Sequence, residues 1–130
     1  MVKQLLLEIK RFKLSNVRIL SLSRISNVIH AFFERFSLGK VAKAYPMVVM
    51  IEPTNNCNLR CPMCPAVIEN SIGIRPDMSL ELFNKVVDNT SRHAFYLALW
   101  NYGEPLMNPN IVKMLKSASS KKFIVEMHTN

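Results

Sequence analysis

Between positions 21 and 36 the apolar residues recur at helical spacing. Leu22, Ile25, Val28, Ile29, Phe32, Phe33 and Phe36 fall on one stripe, with Arg24, Asn27, Glu34 and Arg35 opposite. The pattern predicts an amphipathic helix that packs its Leu/Ile/Phe stripe on the rest of the chain. Leu38-Gly39-Lys40 offers a glycine for a left-handed C-cap, and Tyr45-Pro46 breaks the pattern, so a boundary is placed near Pro46.

Beyond that boundary the pattern changes. Residues 47–51 form a short, partly β-branched apolar run that ends in Glu52-Pro53-Thr54-Asn55-Asn56, which is turn chemistry. Ser79 then precedes Leu82, Phe83, Val86 and Val87, a helical face with a serine N-cap and Glu81 in the dipole-favoured first turn. Residues 95–100 read as a second buried strand. Asn108-Pro109 reads as an N-cap with proline at the first helical position, ahead of Ile111, Met114, Leu115 and Ala118. Residues 123–127 read as a third strand. Alternating strands and helices imply parallel pairing, and nearly unbroken apolar strands predict a sheet covered on both faces. The fold class is α/β, a βαβαβ unit after an N-terminal helical segment. With no covering helix after the third strand, the unit reads either as an unusually small sheet or as the first half of something larger.

Composition narrows the class. With 49% apolar and 20% charged residues in 130, the chain has an ordinary globular mix, and no 20-residue block lacks charge, so a spanning helix is not expected. No cleavage site follows the leucine run near the N-terminus, so the default compartment is cytoplasmic. The net charge of +8 is lopsided: residues 1–45 hold nine basic and two acidic residues, and residues 46–130 are nearly neutral. Packing on the domain is the first reading of the basic segment, peripheral contact with an anionic membrane surface the second, and nucleic acid the last, for want of aromatic and polar interleaving.

The chemistry lies in Cys57, Cys61 and Cys64, spaced CxxxCxxC in the loop after the first strand. Functional sites of α/β folds gather at that strand edge. Three thiolates this close suit three corners of a cubane and leave one iron without a protein ligand. A zinc ion held with His93 or His128 is an alternative, as is a redox pair made of Cys61 and Cys64. The odd count disfavours a disulfide staple.

Residues 51–65, with these cysteines, resemble the signature of the radical S-adenosylmethionine superfamily. Gly103-Glu104-Pro105 after the second strand is similar to that family's Gly-Gly-Glu-Pro segment, with Tyr102 in place of the first glycine. His128-Thr129-Asn130 is similar to the Thr-Asn-Gly at the end of its third strand. The resemblance covers roughly residues 47–130 and implies, for a domain of residues 46–130, about three βα units, the N-terminal half of a partial (β/α)6 barrel, in the branch that often carries a C-terminal SPASM domain. It implies a 4Fe-4S cluster on Cys57, Cys61 and Cys64. It also implies S-adenosylmethionine held through its amino group near Gly103, Glu104 and Pro105, with the backbone of Met63 near the adenine. Electrons from a flavodoxin- or ferredoxin-type donor would then cleave the sulfonium to a 5′-deoxyadenosyl radical, which abstracts hydrogen from a substrate the sequence does not name. The rival class is a non-catalytic iron-sulfur or zinc module.

Overall fold

The computed structural model describes residues 19, 21–36, 41–64 and 76–130. Glycine 39, offered above as a C-cap, lies outside them. The described elements run α1 (Leu22–Glu34), β1 (Val48–Met50), α2 (Leu80–Thr90), β2 (Tyr96–Leu99), a short 3-10 turn (Pro105–Met107), α3 (Ile111–Ser120) and β3 (Ile124–Met127).

The three strands form a parallel sheet in the order β1-β2-β3. Val48 pairs with Tyr96 and Tyr96 with Ile124, so each strand adds to the same side of the one before it, with a helix between. Alternation along the strands sends Val49, Leu97, Leu99, Val125 and Met127 to one face. That face packs on Phe83 and Val87 of α2, Ile111, Met114 and Ala118 of α3, and Phe123, which together form the core. Burying a side chain such as Leu97 or Leu99 contributes roughly 2 kcal/mol each.

Coverage of both faces, expected from the apolar strands, is not what the described residues show. Val48 and Met50 point to the other face and are exposed. Both helices lie on one side because successive parallel connections cross over in the same sense.

The caps are partly as read. Ser79 accepts from the backbone N–H of Leu82 at 3.1 Å and caps α2. Ser21 caps α1, accepting from Arg24 N at 3.3 Å. Asn108-Pro109 is not the cap of α3, which starts at Ile111 after Asn110. The Asn108 side chain is instead fully buried and donates to the carbonyls of Pro53 (2.8 Å) and Met78 (3.1 Å), a buried amide finding acceptors in two other segments.

The largest departure is the orientation of α1. Its buried residues are Arg24 and Asn27, and the apolar stripe faces outward. Arg24 explains the inversion. Its Nε and Nη2 donate to Ser91 O (3.1 and 2.8 Å), Nη1 to Ile19 O and Lys122 O (both 2.8 Å), and Nη2 also to Lys121 O (3.0 Å). All five guanidinium N–H groups are used. Ser91 and Lys121 are the C-caps of α2 and α3, whose unsatisfied carbonyls and negative dipole ends favour a cation. The guanidinium also lies 5.5 Å over the Phe123 ring. Burial pushes its pKa down from the ordinary arginine value. Asn27 adds a reciprocal pair with the Tyr45 backbone at 2.8 and 2.9 Å.

Candidate functional site

The C-terminal ends of the three strands carry the three matched segments. The loop after β1 opens with a heavily tied stretch. Pro53 O accepts from Met78 N at 2.9 Å and from Asn108, Asn56 N donates to Thr54 Oγ1 at 3.0 Å, and Thr54 is buried. The loop after β2 is stitched onto it, with Glu104 N donating to Asn56 O at 2.8 Å and Tyr102 N to Glu52 Oε2 at 3.2 Å.

Gly103 makes that stitching possible. A Cβ there would overlap the carbonyl oxygen of Thr54 and lie 2.6 Å from its carbonyl carbon and 2.8 Å from Asn55 Cα. The backbone at Gly103 thus lies directly against that of the first loop.

The Glu104 carboxylate is buried and fully engaged. Oε1 accepts from Leu106 N (3.0 Å) and Thr129 Oγ1 (2.8 Å), and Oε2 from Asn130 N (2.9 Å). Burial raises its pKa, but the hydrogen bonds from Asn130, Leu106 and Thr129 lower it further, and the net shift is downward. Glu104 thus ties the second loop to the end of β3. Asn130 carries the tie onward by pairing its amide with that of Asn58 (3.2 and 3.4 Å) and setting Nδ2 3.9 Å from Cys57 Sγ.

Cys57 and Cys61 are exposed, Cys64 is half-buried, and none is in a disulfide. The three sulfurs are not drawn together: among the described residues no trio of His, Cys, Asp or Glu is arranged to hold a metal ion. As a donor set they still suit an iron-sulfur cluster, being free thiols in one short loop, and metal sites often close only around the metal. Met63 is exposed beside them, and a groove of about 450 Å³ lies next to this edge, lined by Glu52, Thr54, Asp77, Met78 and Leu82 among others.

Neither histidine weighed as a zinc ligand faces the cysteines in a metal-binding group. His93 stacks on Tyr45 (4.1 Å between centroids), and His128 stacks on Trp100 (4.8 Å) and meets Glu126 at 2.6 Å. Glu126 also accepts from the Tyr96 hydroxyl. Trp100 Nε1 is buried with no hydrogen-bond partner among the described residues.

No family model matches the chain. Over 83 residues, 62% of this chain, it is 30% identical to the tungsten-containing aldehyde ferredoxin oxidoreductase cofactor-modifying protein of Pyrococcus furiosus. Over 94 residues, 71% of this chain, it is 27% identical to the PqqA peptide cyclase of Rhodopseudomonas palustris. The chain is related to radical S-adenosylmethionine enzymes. It spans 22% and 24% of the length of these two relatives. The fold agrees with the relationship. An open conformation of BtrN superposes with a TM-score of 0.57 at 20% identity, covering 68% of this chain and 40% of that one. BtrN in complex with AdoMet and 2-DOIA gives 0.56 at 22%, covering 66% and 36%. The three parallel strands and their helices match part of the BtrN fold. No described helix is long and apolar enough to cross a membrane.

Proposed function

We propose that residues 46–130 are the N-terminal half of a partial (β/α)6 radical S-adenosylmethionine barrel, and that residues 1–45 form a separate basic segment before it. In this reading Cys57, Cys61 and Cys64 would hold a 4Fe-4S cluster, and S-adenosylmethionine would bind beside it at the same strand edge. The observation that carries the reading is convergence: the cysteine loop, Gly103-Glu104-Pro105 and Thr129-Asn130 are separate in sequence yet joined by hydrogen bonds at one sheet edge.

Each residue has a task. Gly103 lets the second loop lie against Thr54 beside the cysteine loop, and the backbone carbonyls of that second loop would be the acceptors an ammonium group needs. The Glu104 carboxylate, spent on Leu106, Thr129 and Asn130, is a positioning group that fixes Pro105 and the third strand's end. The backbone of Met63 serves the adenine. Asn130 donates toward the Cys57 sulfur, and such hydrogen bonds tune thiolate-held clusters. When bound, the cluster and S-adenosylmethionine supply a 5′-deoxyadenosyl radical for hydrogen abstraction from a substrate. A flavodoxin- or ferredoxin-type donor, a cytoplasmic setting and the SPASM-like branch complete the reading.

Anaerobic reconstitution with iron and sulfide tests it. About four irons and four sulfides should load per chain, each of Cys57→Ala, Cys61→Ala and Cys64→Ala should abolish loading, and S-adenosylmethionine should change the spectrum of the reduced cluster. Mononuclear zinc with no cluster absorbance would replace the reading with that of a zinc module. A cluster indifferent to S-adenosylmethionine would make the chain a non-catalytic iron-sulfur module.

A further inference from the structure

Helix α1 wears its apolar side outward. Leu22 is 87% exposed, Phe32 59%, Phe33 67% and Phe36 71%, and Ile25, Val28 and Ile29 continue the stripe. The rings of Phe32 contact those of Phe33 and Phe36 edge-on at 5.8 and 5.2 Å, which makes one contiguous apolar patch. Rotating the helix to hide it would strip all five guanidinium donors of Arg24 from their carbonyls. Among the described residues nothing covers the patch, and a contiguous apolar surface of this kind marks an interaction site.

Charge around the patch identifies its occupant. A groove of about 460 Å³ runs along one flank of α1, with His30, Lys43, Arg92 and His93 in its lining. Arg35 follows the helix as its C-cap. Glu34, the helix's one acidic residue, accepts from the backbone N–H groups of Lys43 and Ala44 and so is turned toward the chain. A second copy docked on this face would set Arg35, Lys43 and Arg92 against their own counterparts, whereas an apolar stripe flanked by cations fits an anionic lipid surface.

We propose that the exposed face of α1 docks on an anionic phospholipid membrane, with Leu22, Ile29, Phe32, Phe33 and Phe36 entering the acyl boundary and Arg35, Lys43 and Arg92 meeting headgroup phosphates. The inward anchors of α1, Ser91 and the Lys121–Lys122 carbonyls, precede β2 and β3, while the cysteine loop follows β1 at the opposite strand ends. A four-residue strand spans roughly 13 Å. Docking by α1 thus turns the cysteine edge away from the bilayer and leaves it open to soluble partners.

Flotation of the 130-residue chain with phosphatidylcholine vesicles, with and without phosphatidylglycerol, tests this. The chain should float with the anionic vesicles, less so as salt is raised. The exposed-site double variant Phe33→Ser/Phe36→Ser should keep its thermal unfolding midpoint and lose about tenfold in bound fraction. Failure to float with phosphatidylglycerol vesicles, or equal binding to pure phosphatidylcholine, would overturn the proposal. So would a wild-type dimer that the double variant converts to monomer with no change in vesicle binding.

Discussion

Alanine at position 103 puts the contact between the two loops to a quantitative test. The added Cβ would overlap the Thr54 carbonyl oxygen and lie 2.6 Å from the Thr54 carbonyl carbon and 2.8 Å from Asn55 Cα, all of them backbone atoms that no rotamer change relieves. Ordinary contact begins near 3.5 Å, so the second loop must retreat by about 1 Å. That retreat stretches the 2.8 Å bond from Glu104 N to Asn56 O past its limit. Overpacking costs about 1–3 kcal/mol and the lost hydrogen bond about 1 kcal/mol. Lower entropy of the unfolded alanine chain returns about 0.4–1 kcal/mol, leaving a net destabilisation of about 1–3.6 kcal/mol. Urea unfolding followed by Trp100, the chain's one tryptophan, should show a midpoint lower by roughly 1 M. Tyr102→Gly, one residue earlier, keeps the N–H that donates to Glu52 and should cost about 1 kcal/mol or less. A Gly103→Ala midpoint within error of wild type would refute the close-approach argument.

Two further perturbations have defined outcomes. Arg24→Met leaves the carbonyls of Ile19, Ser91, Lys121 and Lys122 without their shared donor and should lower stability in urea by about 3 kcal/mol; a midpoint unchanged from wild type would mean that the guanidinium does not anchor α1. Glu104 has its folded pKa depressed, so its stabilisation is present above the unfolded value of about 4.3 and is lost as pH falls through the lower folded value. Thermal unfolding across that acidic window should fall more steeply for wild type than for Glu104→Gln, and parallel curves would remove Glu104 from the linkage.

What the sequence made legible follows the range of each interaction. The strand-helix alternation, the parallel order and the Ser79 cap depend on residues a few positions apart, and all are found close to where the pattern puts them. The orientation of α1 was not legible, because an amphipathic pattern states that two faces differ and not which one meets the protein. That choice is made by Arg24 reaching carbonyls 67, 97 and 98 positions away. Asn108 misled in part: its Oδ1 accepts locally from Asn110 N at 2.8 Å, but its buried Nδ2 is drawn to the carbonyls of Pro53 and Met78, and the helix starts later, at Ile111. Gly103 and Glu104 were found by motif, yet their partners Thr54, Thr129 and Asn130 emerge only once the strands are set side by side.

The distribution of ties around the cysteine loop follows from what ligands of a cluster require. Residues 52–56 are held by Met78, Tyr102, Glu104 and Asn108, so the chain arrives at Cys57 in a fixed place and direction. From there the described ties are few: Leu59 N to Cys57 Sγ at 3.4 Å and Cys64 N to Cys61 O at 3.0 Å within the loop, and the Asn58–Asn130 amide pair across to the third strand's end. Three thiolates held together in advance would repel one another and bury uncompensated charge, a cost that a loop with local ties avoids until metal supplies the opposite charge. Rigidity is therefore useful up to Cys57 and adjustability beyond it. The Asn130 amide sits at that junction, fixed through its backbone to Glu104 and reaching with its side chain toward Cys57.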